Sequence, residues 1–214
     1  MSTDAGPSSS GVHEEAPPEG LTPQEARRRR MMDTALALAS AGGYEAVQMR
    51  TVAEQAEVAL GTLYRYFPSK VHLLLAALAV EFEENVAMMR AFTVPGDTPA
   101  ERLMAVVGYH TQVLAEEPNR TEALTRAFIF ADASAQDSVD RVVDLLTAIF
   151  SHAIGANETP TEADGDLARV IGDVWLGALV GWVTGRVTPA DVEQTVGRAV
   201  RLIFHTPDCD HTTA

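Results

Sequence analysis

Residues 47–70 contain two short stretches of helical periodicity, separated by a few residues and closed by a proline. Apolar side chains recur on one helix face in each stretch, at Val52, Ala53 and Ala56 in the first and at Leu63 and Phe67 in the second. Pro68 cannot continue a helix, and Ser69 is placed to cap the next one, which begins at Lys70. Two short helices joined by a tight turn form a helix-turn-helix, whose second helix enters the major groove of DNA. The stretch therefore predicts a DNA-reading element.

The outer surface of the second helix supplies the candidate base contacts. Its polar, aromatic and small members are Gly61, Thr62, Tyr64, Arg65 and Tyr66. A bidentate contact with guanine suits Arg65, and a thymine methyl or another base edge suits Thr62. Phosphates suit Tyr64, Tyr66 and Lys70. Tyr64 is also able to lie against bases, and packing between helices remains an open interpretation of Tyr66.

Phosphate contacts are also expected from residues that precede this helix. Arg50 and Thr51 begin the first motif helix, where free N–H groups and the helix dipole favour an anion. An arginine run lies upstream, at Arg27, Arg28, Arg29 and Arg30, in a chain with a single lysine. We expect this run to contact phosphates or the minor groove, although a solvated helix face is the common role of a charge run.

The charge distribution is consistent with DNA binding at one end of the molecule. The net charge of −14 by itself disfavours a polyanionic partner. Residues 21–72, however, carry seven basic and five acidic residues, a net charge of +2, so the rest of the chain carries −16. A basic module joined to an acidic remainder is typical of a nucleic-acid-binding part attached to another domain.

Helical periodicity extends over most of the chain, and we predict an all-α fold. Residues 1–20 form a disordered tail because they contain almost nothing to bury, and residues 21–72 form a three-helix DNA-binding domain. Residues 73–205 form a larger helical domain, and residues 206–214 form a flexible tail. A long helix after Ser69 connects the domains and ends before Pro95. The further helices are predicted from Thr98 to Pro118, over 121–133, 138–154 and 164–186, and from Pro189 onward.

Several runs resemble a known family. Residues 51–70, with Gly61-Thr62-Leu63-Tyr64 and Tyr66-Phe67-Pro68-Ser69-Lys70, resemble the N-terminal signature of the TetR-family repressors. Residues 43–50 and 61–74, with patches within 121–134 and 168–176, resemble more narrowly the actinobacterial regulators of cholesterol breakdown in that family. The likeness spans roughly residues 24–205, and the tails carry none of it.

The resemblance implies a homodimeric repressor with operator DNA at its N-terminal domain and an inducer in its C-terminal domain. For the narrower group, the inducer would be a steroid coenzyme A thioester and the regulated genes those of sterol catabolism. Another hydrophobic ligand, such as an acyl-CoA, a polyketide or a drug, is the alternative. The turn departs from the family pattern, because Glu57, Ala59 and Leu60 stand where many members have small or polar residues. Leu60 then becomes a candidate for contact with a thymine methyl.

The C-terminal domain carries the candidate ligand contacts. Its apolar candidates at helical spacing are Phe82, Met89, Met104, Val107, Leu124, Phe128, Phe150 and Trp175. The resemblance adds Arg126 as a partner for the polar end of a ligand. Each apolar residue is also interpretable as plain core. Since pockets between helices are mostly apolar and methionines adapt to irregular cavities, a large apolar ligand is admissible.

The last two predicted helices have wide apolar faces. Glycines at Gly172, Gly177, Gly181 and Gly185 permit close helix approach there. The two helices are either core or, by resemblance, half of a four-helix interface with a second subunit.

The sequence contains no catalytic or metal-binding pattern. Its six histidines form no His-x-x-x-His pair, and Cys209 is the single cysteine, so neither an intrachain disulfide nor a cysteine zinc site is expected. His110 is interpreted as a satisfied core residue. No apolar run reaches membrane-spanning length. We therefore expect a soluble cytoplasmic protein that is not an enzyme and uses no cofactor. A helical lipid carrier or enzyme with an incidental helix-turn-helix is the rival class.

Overall fold

The computed structural model describes residues 21–155 and 159–204. Every regular element among them is helical, which confirms the all-α prediction. The helices are α1 (Pro23–Ala46), α2 (Met49–Gln55), α3 (Leu60–Tyr66), α4 (Lys70–Met89), α5 (Pro99–Glu116), α6 (Pro118–Ile129), α7 (Gln136–Ile154), α8 (Glu162–Val183) and α9 (Pro189–Phe204), with a 3₁₀ turn at Ala133–Ala135. The tails predicted for 1–20 and 206–214, and Cys209, lie outside the described residues.

Hydroxyl caps begin several of the long helices, and the sequence predicts the one at Ser69. At the start of α1, the N–H of Glu25 donates to the Thr22 side chain, and the Glu25 carboxylate accepts from the N–H of Thr22. Thr98 and Glu101 form the same reciprocal pair at the start of α5. Ser69 accepts from a backbone N–H at the start of α4. These caps satisfy N–H groups that have no partner within the helix.

Some helix boundaries differ from those predicted. Helix α6 begins at Pro118 rather than at residue 121, because a proline is tolerated in the first turn, where its missing N–H is not needed. Helix α8 begins earlier because Thr161 caps it through Asp164, and it ends at Val183, before Gly185 with φ 72°. Helix α4 ends at Met89, before Pro95 as predicted. No helix within 21–155 and 159–204 is long and apolar enough to cross a membrane.

Two clusters of buried apolar side chains organise the fold. The N-terminal cluster joins α1–α3 with the start of α4, through Leu73 and Leu74, and with Ala123 and Ala127 of α6. The C-terminal cluster joins the remainder of α4 with α5, α7, α8 and α9. Phe128 of α6 packs against this second cluster. Helices α4 and α6 therefore contribute to both parts of the molecule.

Candidate DNA-binding surface and ligand cavity

The turn between α2 and α3 has helix-turn-helix geometry. The N–H of Val58 donates to the carbonyl of Ala53 over 2.9 Å and closes the turn. Between them, Glu57 has φ 55°, a left-handed conformation that glycine adopts more easily. Ala59 precedes α3 without a side-chain cap. A backbone hydrogen bond thus closes the turn, and no side-chain cap contributes at the start of α3.

Helix α3 is anchored on one face and exposed on the other. Leu63 is fully buried and Phe67 nearly so. The exposed face carries Leu60, Gly61, Tyr64 and Arg65, while Thr62 and Tyr66 are half-buried. A Cβ at Gly61 would meet no atom within 4 Å, so packing inside this chain does not require glycine there. The predicted base-contacting residues therefore share one surface, with Tyr66 turned partly into the N-terminal cluster.

The arginine run does not form a single surface. The Arg28 guanidinium lies 5.4 Å from the centroid of the Phe67 ring, at the end of α3. Arg29 donates to Glu84 of α4 over 2.8 Å and to Asp33 over 3.2 Å. Successive side chains on a helix point about 100° apart, so four adjacent arginines face four directions.

The fourth arginine of the run reaches the helix-turn-helix itself. Arg30 Nε donates to the carbonyl of Ala56, at the end of α2, over 3.0 Å. Arg27 is half-buried. Two members of the run, Arg28 and Arg30, thus contact residues of the helix-turn-helix, whereas Arg29 is held by carboxylates of α1 and α4.

This difference yields a test with adjacent residues. Arg30→Gln is expected to weaken DNA binding and to reduce the slope of log affinity against log salt by about one unit, because one phosphate contact is lost. Arg29→Gln, the matched control, is expected to leave the slope unchanged. Fluorescence anisotropy at several salt concentrations measures both slopes. Slopes equal to that of the wild type in both variants would assign the run to a solvated helix face.

Three further residues predicted to contact phosphates differ in how free their side chains are. Arg50 is exposed and pairs with Glu54 over 3.1 Å, one turn along α2, and Thr51 is half-buried. Lys70 is more restricted, since its Nζ donates to the carbonyl of Tyr44 over 2.9 Å and lies 3.8 Å from the centroid of that ring. Burial lowers the pKa of Lys70. The lysine is therefore directed toward the end of α1.

A polar cluster joins the end of α1 to α6. The Glu122 carboxylate accepts from the N–H of Tyr44 over 2.9 Å. Arg126 pairs with Glu122 over 2.9 Å and with Glu45 over 3.3 Å, and lies 4.9 Å from the Tyr44 ring centroid. Burial raises the pKa of Tyr44. Arg126 thus lies at the contact between the two parts of the molecule.

The glycine before Tyr44 makes this contact possible. Gly43 has φ 69°, in the left-handed region that favours glycine. A Cβ there would lie 2.8 Å from a carboxylate oxygen of Glu122. The break near the end of α1 therefore provides both the backbone conformation and the space that let α6 approach.

A cavity of about 250 Å³ lies between α4, α6, α7 and α8. Four of the predicted ligand contacts line it, namely Phe82, Leu124, Phe128 and Trp175. The other five do not line it. Met89, Val107 and Phe150 are buried in the C-terminal cluster, and Met104 lies 3.6 Å from where a Cβ at Gly197 would stand. Arg126 lies in the polar cluster described above. The structure thus brings only part of the predicted set together.

Few polar groups face this apolar cavity. Thr125 and Thr147 line it, and among the residues that the structure describes no hydrogen bond engages either hydroxyl. Arg169 also lines the cavity and stands 3.7 Å from Asp144, with Asp173 one turn along α8. The charged groups are exposed, so they mark the end of the cavity nearest to solvent.

Some lining residues were absent from the predicted set. Gly172 lines the cavity, and so do the hydroxyl-bearing residues Thr121, Thr125 and Thr147. Helical spacing alone carries a signal for two of them, because Thr125 lies three residues before Phe128 and Gly172 lies three residues before Trp175 on the same helix face. Within the described residues no cluster of metal-binding side chains is found.

Comparison with known proteins agrees with both parts of the fold. Residues 31–77 match the family described as "Bacterial regulatory proteins, tetR family", and residues 96–203 match "Tetracyclin repressor-like, C-terminal domain". The HTH-type transcriptional repressor KstR of Mycolicibacterium smegmatis is 50% identical over 88% of this chain and 92% of its own length. KstR of Rhodococcus jostii is 52% identical over 85% of this chain and 84% of its own.

Solved structures show the same architecture. A TetR transcriptional regulator from Rhodococcus sp. RHA1 superposes with a TM-score of 0.76 at 31% identity, covering 89% of this chain and all of that one. The regulator FadR from Bacillus subtilis, solved in complex with stearoyl-CoA, has a TM-score of 0.57 at 21% identity and covers 80% of this chain and 96% of its own. At that identity the second likeness concerns the fold alone.

Proposed function

Since this chain belongs to the TetR family of bacterial transcriptional regulators and is a repressor closely related to KstR, we propose that it represses sterol-catabolism genes from a palindromic operator. It acts as a homodimer, and a steroid coenzyme A thioester bound in the cavity releases it from DNA. The observation that carries the ligand part is the apolar cavity bounded by α6, because the same helix contacts the end of α1.

The exposed face of α3 supports the DNA part of the proposal. Arg65 is exposed, and among the described residues no hydrogen bond or ion pair engages it, so the guanidinium is available for a base edge. Leu60 and Tyr64, 39% and 46% exposed, offer apolar and aromatic contact on the same face. Contact with bases would cover the exposed parts of these two side chains.

Helix α6 supports the coupling between ligand and operator. Leu124, Thr125 and Phe128 line the cavity, while Glu122 and Arg126 hold the end of α1. A ligand that shifts α6 therefore also shifts the N-terminal helices relative to the rest of the chain. Coupling of this kind is reciprocal, so operator DNA weakens inducer binding by the same factor. To shift the ratio of released to DNA-bound forms from 1:99 to 99:1, the inducer must bind the released form about 5.5 kcal/mol more favourably than the DNA-bound form.

Helices α8 and α9 support a homodimer. Val170 on α8 is 51% exposed and Leu202 on α9 is 74% exposed, although these helices pack against each other. Large exposed apolar side chains on adjacent helices mark a surface for another subunit. A twofold symmetric pair would present two copies of α3, which matches a palindromic operator.

Two alanine substitutions in α8 test the ligand site. Gly172→Ala places a methyl group in the cavity, 3.5 Å from Leu146 Cδ2, an ordinary contact that introduces no strain. Gly165→Ala, on the same helix, meets no atom within 4 Å and is the matched control. We expect Gly172→Ala to raise by several-fold the steroid thioester concentration that releases half of the operator, with DNA binding unchanged, because the added methyl group takes ligand volume.

Anisotropy of a labelled operator duplex measures this release, with sedimentation velocity reporting the oligomeric state. The ligands compared are a steroid thioester, a straight-chain acyl thioester and coenzyme A alone. If the acyl thioester releases the operator and the steroid thioester does not, the alternative ligand class is correct. If neither variant changes the release curve, the cavity is not the inducer site.

A further inference from the structure

His110 is a buried polar side chain without a partner. It lies on α5, is only 6% exposed, and neither ring nitrogen has a hydrogen-bond partner among the described residues. The histidine is a core residue as the sequence suggests, but its hydrogen-bonding capacity is unused rather than satisfied. Buried polar groups in folded proteins nearly always have a partner in protein, water or ligand. We therefore expect a water molecule or a ligand atom to bind the His110 ring nitrogens.

His110 lies next to a residue that lines the cavity. Its ring centroid lies 6.5 Å from that of Trp175 in an edge-to-face arrangement. Trp175 lines the cavity, and so does Leu114, one turn after His110 on α5. The Trp175 indole N–H donates to the Thr111 hydroxyl over 3.2 Å and is held in place by it. The ring of a cavity-lining residue therefore packs next to the His110 ring, and His110 itself does not line the cavity.

The size of the cavity makes the Trp175 indole important. Its volume of about 250 Å³ is below the roughly 300–1,000 Å³ of typical small-molecule sites. Movement of one wall would therefore give a ligand with a fused ring system more room. Rotation of the Trp175 side chain would extend the cavity toward His110. The polar groups already in the lining are threonine hydroxyls and the charged side chains at the rim, and none of them is an imidazole with both nitrogens unpaired.

We propose that His110 is the inner hydrogen-bonding residue of the ligand site, reached when the ligand displaces the Trp175 indole, and that it binds an uncharged oxygen at the buried end of the ligand. This inference rests on the proposed function, because it concerns the same cavity. It assigns the orientation of the ligand: the oxygen-bearing ring end lies inward and the thioester lies at the charged rim near Arg169.

The protonation state of His110 favours a neutral oxygen. Burial lowers the pKa of the His110 imidazole to about 4, so the ring is uncharged near neutral pH. A neutral imidazole offers one N–H donor and one acceptor nitrogen. A ketone accepts from the donor, and a hydroxyl group uses either nitrogen. A carboxylate would be buried without a compensating positive charge and is disfavoured.

The test compares two steroid coenzyme A thioesters that differ only at the ring end opposite the thioester, where one has a ketone and the other a methylene group. Isothermal titration calorimetry measures their binding to the full chain without DNA. We expect the wild type to prefer the ketone by about 5-fold to 150-fold, because the methylene analogue leaves the imidazole unpaired. His110→Phe should reduce this preference to about twofold or less, and His110→Gln, which keeps a donor and an acceptor, should restore part of it.

Fluorescence reports the indole directly. The chain has two tryptophans, so a Trp182→Phe background leaves only Trp175. Its emission should change on binding, and thermal melting checks that each His110 variant is folded. If both thioesters bind and the ketone preference is equal in the wild type and in His110→Phe, His110 holds only a buried water and the inference is wrong while the proposed function stands. If neither thioester binds the wild type, the proposed function fails and the inference fails with it.

Discussion

Arg102→Leu is expected to lower the free energy of unfolding by about 2–6 kcal/mol. Arg102 is 8% exposed and donates from Nε to the Ala153 carbonyl and from a terminal nitrogen to the Ile154 carbonyl, both over 2.9 Å. These carbonyls end α7 and have no partner within the helix. Leucine would leave both without this donor, at about 1–3 kcal/mol each. The guanidinium also lies 3.4 Å from the Gly96 carbonyl, so the connection from α4 to α5 loosens too.

Chemical denaturation followed by circular dichroism measures the loss, at one protein concentration because a dimer couples stability to concentration. Arg141→Leu is the control. Arg141 pairs with Glu83 over 2.9 Å, but both side chains are largely exposed, so its removal should cost no more than about 1 kcal/mol. Similar losses in the two variants would show that the carbonyl contacts of Arg102 do not stabilise the C-terminal cluster.

Arg65→Ala is expected to weaken binding to the operator by about 1–3 kcal/mol, roughly 5-fold to 150-fold, and to relax base preference at one position in each half-site. The reason is that, in the proposed function, the exposed guanidinium on α3 contacts a base edge, whereas loss of a phosphate contact would affect every sequence equally. Anisotropy with an operator selected from a random duplex pool, and with unrelated DNA, measures the difference.

Arg50→Ala is the comparison variant for Arg65. Arg50 lies at the start of α2, and we expect its removal to weaken both DNAs alike and to reduce the salt slope by about one unit. Lys70 is a poorer choice because it contacts the Tyr44 ring and carbonyl, so its removal would also disturb the contact between α1 and α6. If both arginine variants lose the same factor on operator and unrelated DNA, Arg65 does not read a base.

Capping residues and prolines predicted the helix ends well, because their effect is confined to a few neighbouring residues. Pro68 and Ser69 predicted the end of one element and the start of α4, and Thr98 with Pro99 predicted the start of α5, because caps and prolines depend on neighbouring backbone groups only. The start of α6 was predicted too late because Pro118 both follows one helix and begins another.

The cavity was predictable only in part. Apolar periodicity selected Phe128 and Trp175, which line it, but also Met104 and Val107, which do not. Which apolar residues face a void depends on how α4, α6, α7 and α8 pack, and periodicity reports only that a face is buried. Arg126 illustrates the same limit, because its position between α1 and α6 depends on contacts far apart in the sequence.

The sharing of α6 between the two hydrophobic clusters has a consequence for building hybrid repressors. Ala123 and Ala127 pack with the N-terminal helices although they lie about fifty residues further along the chain. A hybrid that exchanges residues 21–72 with those of a relative would therefore set foreign α1 side chains against the native α6. Transplanting operator preference onto another ligand domain then requires the matching face of α6, including Glu122 opposite Gly43, to travel with the graft.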